Sequence, residues 1–237
     1  MLTTAPELTT GITDFILGII SLIFAIWIGL YNRNRKNKKV YFVDAMLVIL
    51  AIASIYGGLL HGLEMSREIF SLGWIPLGIM LGSLPLIMLA ILSIIWKENN
   101  VPTKRIVLYC SFFVLFSLVA ISTIVAIQRA FHFVTFIVYS ESIMVPSFFY
   151  CLFTAIKNKR KSAILFSIAL FIMIWSSIIQ QVLCDIRFTF LIFGVAFDFN
   201  SIYHIIMISA VTVATVGTWR YLKEEDEKLA TTAPPKQ

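Results

Sequence analysis

Seven apolar stretches of roughly twenty residues, parted by short polar connections, leave this chain few ways to fold. They run approximately over 12–31, 42–63, 73–96, 106–127, 131–156, 162–183 and 200–219. A helix needs about 20 apolar residues to cross the hydrocarbon of a bilayer. The pattern therefore predicts an all-α integral membrane bundle of seven transmembrane helices. Composition agrees: 14% of residues are charged and 59% hydrophobic, with mean hydropathy +0.90, whereas soluble domains carry about 25% charged residues.

The charges give the bundle a direction. The first span is too long for the apolar core of a signal peptide, no basic residue precedes it, and "NRNRKNKK" follows it. That is the pattern of an uncleaved anchor with its N-terminus outside. The connections after spans 1, 3 and 5 hold five, three and four Lys or Arg, and the C-terminal tail holds four. The opposite side holds only Arg67, Arg129 and Arg187. Basic residues collect in the cytoplasm, so the N-terminus is expected outside and the C-terminus inside. A net charge of +6 split into such clusters reports topology and not nucleic-acid binding.

The seven helices fill a single domain, 1–222. Residues 223–237, "KEEDEKLATTAPPKQ", are charged and then rich in Thr and Pro, and read as a disordered cytoplasmic tail. The apolar run "FTFLIFGVAF", 188–197, is too short to span. It is expected as an interfacial or re-entrant piece over the outer mouth, or as an extension of span 7. Cys110, Cys151 and Cys184 lie in or beside apolar spans without disulfide or zinc spacing, and read as small buried hydrophobes.

Polar residues gather where the spans meet the outer surface. Asp198, Asn200, Tyr203 and His204 head span 7, His61 and Glu64 close span 2, His132 opens span 5 and Asp14 opens span 1. Asn200 and His204 are four apart and share a helix face. Gly57 and Gly58 allow a helix or a ligand to approach closely above His61. Glu141 lies about three turns into span 5, where an unpaired carboxylate costs about 2.5–3.5 kcal/mol on insertion scales and must be protonated or partnered. Two readings stand open. His61 and His204, with Asp198, Glu64 or His132, make a candidate zinc shell. Alternatively, the same groups hydrogen-bond across helices and fix their packing.

The chain also resembles the CREST superfamily of seven-helix proteins, which includes alkaline ceramidases, progestin/adiponectin-type receptors and lipid-remodelling factors of GPI anchors. The likeness rests on the order of the spans, on the histidine in "GGLLHG" and on "FDFNSIYHII". The opening "TDFILGIISLIFAIWI" looks closer still to a further seven-helix branch allied to that superfamily. In the ceramidase-like enzymes, zinc is held by a histidine in span 2 and by an HxxxH in span 7, assisted by a serine and an aspartate. The resemblance implies His61 and His204 as two zinc ligands. The remaining positions depart from the pattern: the first span-7 histidine is Asn200, the serine is Gly57 with Ser54 a turn further back, and span 3 holds no carboxylate.

Three functions follow as expectations. The first is a polar lipid or ligand pocket at the outer ends of helices 2, 5 and 7, lined by Asn200, Tyr203, Glu141, His132 and Asp14. The second is a zinc-dependent hydrolase of a membrane lipid amide or ester, with Asp198 or Glu64 as catalytic ligand or base. The third is a non-catalytic structural subunit or a transporter. The partner expected is membrane lipid, with helix faces open to a protein partner and no nucleic acid. No Walker A, GxGxxG, HExxH, CxxC or GxSxG motif is present.

Overall fold

The computed structural model describes residues 7–98, 133–185, 189–192 and 195–232. Within them, six helices occur in the order α1 (Leu8–Asn32), α2 (Lys38–Gly62), α3 (Arg67–Glu98), α4 (Phe133–Asn158), α5 (Lys161–Asp185) and α6 (Phe199–Thr232). Each is long and apolar enough to cross a membrane. Six of the seven expected spans are thereby accounted for. The fourth, 106–127, lies outside the described residues, as do Cys110 and His132. Neighbours in sequence pack on one another, and α6 returns to pack on α1, so the described helices form a ring.

The helices are turned the opposite way from those of a soluble protein. The hidden face of α1 is small and polar, with Thr10, Gly11, Thr13, Asp14, Gly18, Ser21 and Ala25 buried. Its outer face is large and apolar: Ile19, Ile23, Ile26 and Leu30 are 53–66% exposed. In water such a stripe would drive aggregation, whereas in hydrocarbon it costs nothing and small residues inside let backbones approach.

Glycine sets the contact between α1 and α2. A Cβ placed on Gly58 would lie 3.0 Å from the Gly11 carbonyl oxygen, and one on Gly11 would lie 3.1 Å from Gly62 Cα. These neighbours are backbone and cannot move aside. A turn or two deeper, a Cβ on Gly18 would lie 2.7 Å from Ile55 Cγ1. The close approach that "GG" promised is therefore made by α1 and not by a ligand. Prolines 76, 85 and 146 sit inside α3 and α4 without ending them. Near Pro85 the Gly82 carbonyl accepts a hydrogen bond from the Tyr139 hydroxyl at 3.0 Å, so a neighbouring helix satisfies backbone that a proline loosens.

Two expectations need correction. The described residues of the run 188–197 are not a helical extension of span 7. Thr189–Ile192 (β1) pairs antiparallel with Val195–Asp198 (β2), and Phe190 stacks on Phe197 at 5.5 Å. Their β-branched and aromatic side chains favour extended pairing in a piece too short to span, so the elements of the described residues are helices apart from this strand pair. Nor is the tail disordered from 223: α6 runs unbroken to Thr232. Its "KEEDEKLA" segment consists largely of strong helix formers, and its acidic side chains meet the basic connections. Asp226 accepts from Arg35 Nη2 at 2.8 Å, and Glu225 from Arg160 Nη2 at 2.6 Å. Leu222, 1% exposed, packs with Ile28 and Val40.

Gly58→Ala is expected to lower the thermal stability of the detergent-solubilised protein by about 1–3 kcal/mol, because its methyl group overpacks against backbone. Gly82→Ala, where a Cβ meets no described residue within 4 Å, serves as the control and is expected to be neutral or stabilising. Equal effects of the two substitutions would contradict the close α1–α2 contact.

Candidate functional site

The site is built where α6 begins. Asp198 is the residue before the first turn of α6, and its carboxylate accepts from the Ser201 backbone N–H at 2.8 Å and the Ser201 hydroxyl at 2.7 Å. This is N-capping, which satisfies a donor that the helix itself leaves orphaned. Thr10 of α1 donates to the same carboxylate, 2.8 Å from each oxygen. Thr9 donates to the Ala196 carbonyl at 2.6 Å, so α1 is sewn to the hairpin and to the cap. Asp198 thus spends its acceptors on structure. That arrangement explains its position at the head of α6 without a role as catalytic base.

One turn further in, His204 reaches α1. Its Nε2 lies 3.2 Å from Asp14 Oδ1 and its Nδ1 lies 3.2 Å from the Thr13 hydroxyl. The Thr13 hydroxyl also sits 2.9 Å from the carbonyls of both Thr9 and Thr10. With its proton on a carbonyl, His204 Nδ1–H donates to the hydroxyl and a further proton bridges Nε2 and Asp14; with its proton on Nδ1, Nε2–H donates to Asp14. In either tautomer the ring bridges Thr13 and Asp14 of α1. Gly57 makes the room: a Cβ there would lie 3.2 Å from Asp14 Oδ2.

A second carboxylate–imidazole pair lies alongside. His61, at the end of α2, places Nδ1 2.8 Å from Glu7 Oε2. The Glu7 backbone N–H also donates to the His61 carbonyl at 3.0 Å, fixing the chain just before α1 against the end of α2. The ring meets Trp74 of α3 edge-on at 5.6 Å. Among the described residues, His61 Nε2 makes no hydrogen bond. The side chains of Asp14, His61 and His204 are only 7, 9 and 11% exposed. Glu7, Asp14, Asp198 and both rings lie within electrostatic reach of one another.

The other expected residues divide. Asn200 turns to α5 and accepts from Gln180 Nε2 at 2.7 Å. Tyr203 packs edge-on against the His204 ring and lies in the fields of both Asp14 and Glu141. Glu141 of α4 sits beside Ser177, and neither of its carboxylate oxygens makes a hydrogen bond of good geometry. It belongs to a separate polar spot among α4, α5 and α6, linked to the first only through Tyr203. Glu64 is exposed on the connection after α2 and takes no part. His132 lies outside the described residues. The cluster therefore joins the ends of α1, α2 and α6, with α1 at its centre.

As placed here, the described residues would have to exchange partners before they held a zinc ion. Both ring nitrogens of His204 have partners, and Asp198 Oδ1 takes both bonds from Ser201. Among the described residues no three His, Cys, Asp or Glu side chains form a metal-holding group.

A family comparison covers almost the whole of this arrangement, from residue 9 to residue 223. The chain belongs to the DUF6962 family. That family is described as one of unknown function, and it supplies no link to the CREST superfamily. Among curated proteins and solved structures nothing matches. The match takes in Thr9, Thr10 and Thr13, whose hydroxyls, like the Glu7 carboxylate, were not among the expected site residues. Thr10, Thr13 and Asp14 recur at helical spacing on one face of span 1, and that was the available signal.

Asp14→Ala is expected to destabilise the protein by about 1–2 kcal/mol, the scale of interhelical hydrogen bonds in bilayers. Glu64→Ala should change stability by less than about 0.5 kcal/mol. Unfolding curves in mild detergent measure both, and an Asp14→Ala protein as stable as the wild type would refute the pairing.

Proposed function

We propose that this protein is an integral, multi-pass membrane protein with its Glu7 end outside and its Lys36 end in the cytoplasm. At the outer ends of α1, α2 and α6 it binds a polar ligand, the headgroup of a lipid in the adjoining leaflet. The observation that carries this reading is the state of His61. Its Nδ1 is held by Glu7, which orients the ring, while Nε2 has no hydrogen-bond partner among the described residues. A ring so oriented presents a directional acceptor, or a donor when charged, to a hydroxyl, ammonium or phosphate group.

The likeness to the CREST superfamily enters as a proposal about architecture alone. Zinc-dependent hydrolysis has weaker support, because His204 would have to give up Thr13 or Asp14 before it could ligate a metal. Binding asks for no such rearrangement.

Lipids retained by the protein when it is extracted with its native bilayer, identified by mass spectrometry, test the proposal. The expected result is one lipid class enriched over the bulk membrane, with His61→Ala cutting that enrichment about tenfold, equivalent to about 1.4 kcal/mol. A retained population identical to bulk lipid, or one that His61→Ala leaves unchanged, would overturn it.

A further inference from the structure

A cleft of about 380 Å³ opens at the other end of the bundle, between the α4–α5 corner and α6. Lys159, Arg160 and Lys161 line one wall, and Arg220, Glu224, Glu227 and Lys228 contribute to the other. Only two residues separate α4 from α5, and Lys159 takes φ 50° to close that corner. Three successive basic residues are thus held at a fixed turn, not on a loose loop.

Part of this basic site is already filled by the chain's own carboxylate. Glu224 accepts from the Ser162 backbone N–H at 3.1 Å and the Ser162 hydroxyl at 2.6 Å, at the first turn of α5. Arg160 Nε adds a bond at 3.2 Å. A helix N-terminus reinforced by a guanidinium is an anion-binding arrangement. The filling is incomplete. Arg220 Nη1 lies 3.5 Å from Glu227, but its Nε is buried without a hydrogen bond among the described residues, 3.4 Å from Glu224 in poor alignment. Lys159 and Lys161 form no ion pair among the described residues. Arg220 lies about 30 Å along α6 from its start at a rise of 1.5 Å per residue, close to the thickness of a hydrocarbon core. The cleft therefore sits at a membrane surface, flanked by Trp219 and Tyr221.

We propose that this cleft binds the phosphate-bearing headgroup of an anionic phospholipid. Lys159 and Lys161 supply the unpaired charge and Arg220 Nε the unused donor, while Glu224 acts as an internal competitor. Basic pockets between helices at a membrane surface recognise such headgroups. This site is independent of the His61 cluster, and its ligand reaches the protein from the opposite leaflet.

The test uses the full-length protein in detergent micelles, titrated with a short-chain phosphatidylinositol monophosphate and, separately, with inositol bisphosphate; native mass spectrometry reads the bound fraction. Lipid binding that the double variant Lys159→Ala/Lys161→Ala weakens about thirtyfold supports the proposal. Comparable binding of inositol bisphosphate supports phosphate recognition and makes a free anion the source, whereas lipid binding alone assigns the site to the membrane. Absence of both, or binding indifferent to the double variant, overturns it. Glu224→Gln removes the competing charge and is expected to tighten binding; weaker or unchanged binding would refute the role given to that carboxylate.

Discussion

The hydrogen bonds that tie α1 to α2 and α6 are the constraint from which the rest of the structure follows. Hydrocarbon offers no water to an orphaned polar group, so every buried donor must find an acceptor inside the protein. Asp14, His204, Thr13 and Thr10 meet that demand across a helix interface, and Asp198 meets it by capping α6. Apolar packing alone would not choose one rotation of α1 over another, because lipid tails solvate isoleucine as well as a neighbouring helix does. The polar groups make the choice. They turn Gly11, Gly18 and the small residues inward and leave the isoleucines facing out.

The two ends of the bundle are held by different physics. At the Glu7 end the pairs are directional and largely buried, apart from the half-exposed Glu7 carboxylate. At the Lys36 end the acidic turn of α6 meets two basic connections in pairs that are partly exposed, such as Arg35 with Asp226. Exposed pairs of this kind contribute about 0–1 kcal/mol each and weaken in salt. Their role is better seen as positioning: they draw α6 against the α4–α5 corner and shape the charged cleft there.

Much of this was legible in the sequence. Length and apolarity located each described helix, although α3 begins six residues before the expected 73 and α6 runs thirteen past the expected 219, and the shared depth of Asp14, His61, Asp198 and His204 followed from span order. What hid the rest was distance along the chain. Glu7 meets His61 across 54 positions, and Thr10 meets Asp198 across 188, so no local spacing reports either pair. Glu64 misled because a carboxylate one turn beyond His61 looks like a partner, yet α2 ends at Gly62 and the chain turns away. The tail misled because its charges suggested solvent, although the opposing basic connections were in plain view and could pair with them. The hairpin escaped because ten apolar residues fit several short structures equally well.

The bond between Asp14 and His204 is the claim most directly open to measurement. Nuclear magnetic resonance of nitrogen-labelled histidine in the intact protein reports the hydrogen bonding of each ring nitrogen. The account predicts a His204 Nε2 signal typical of a hydrogen bond to a carboxyl group and changed by Asp14→Asn, while the His61 Nδ1–H remains. A His204 Nε2 signal that Asp14→Asn leaves untouched would contradict it.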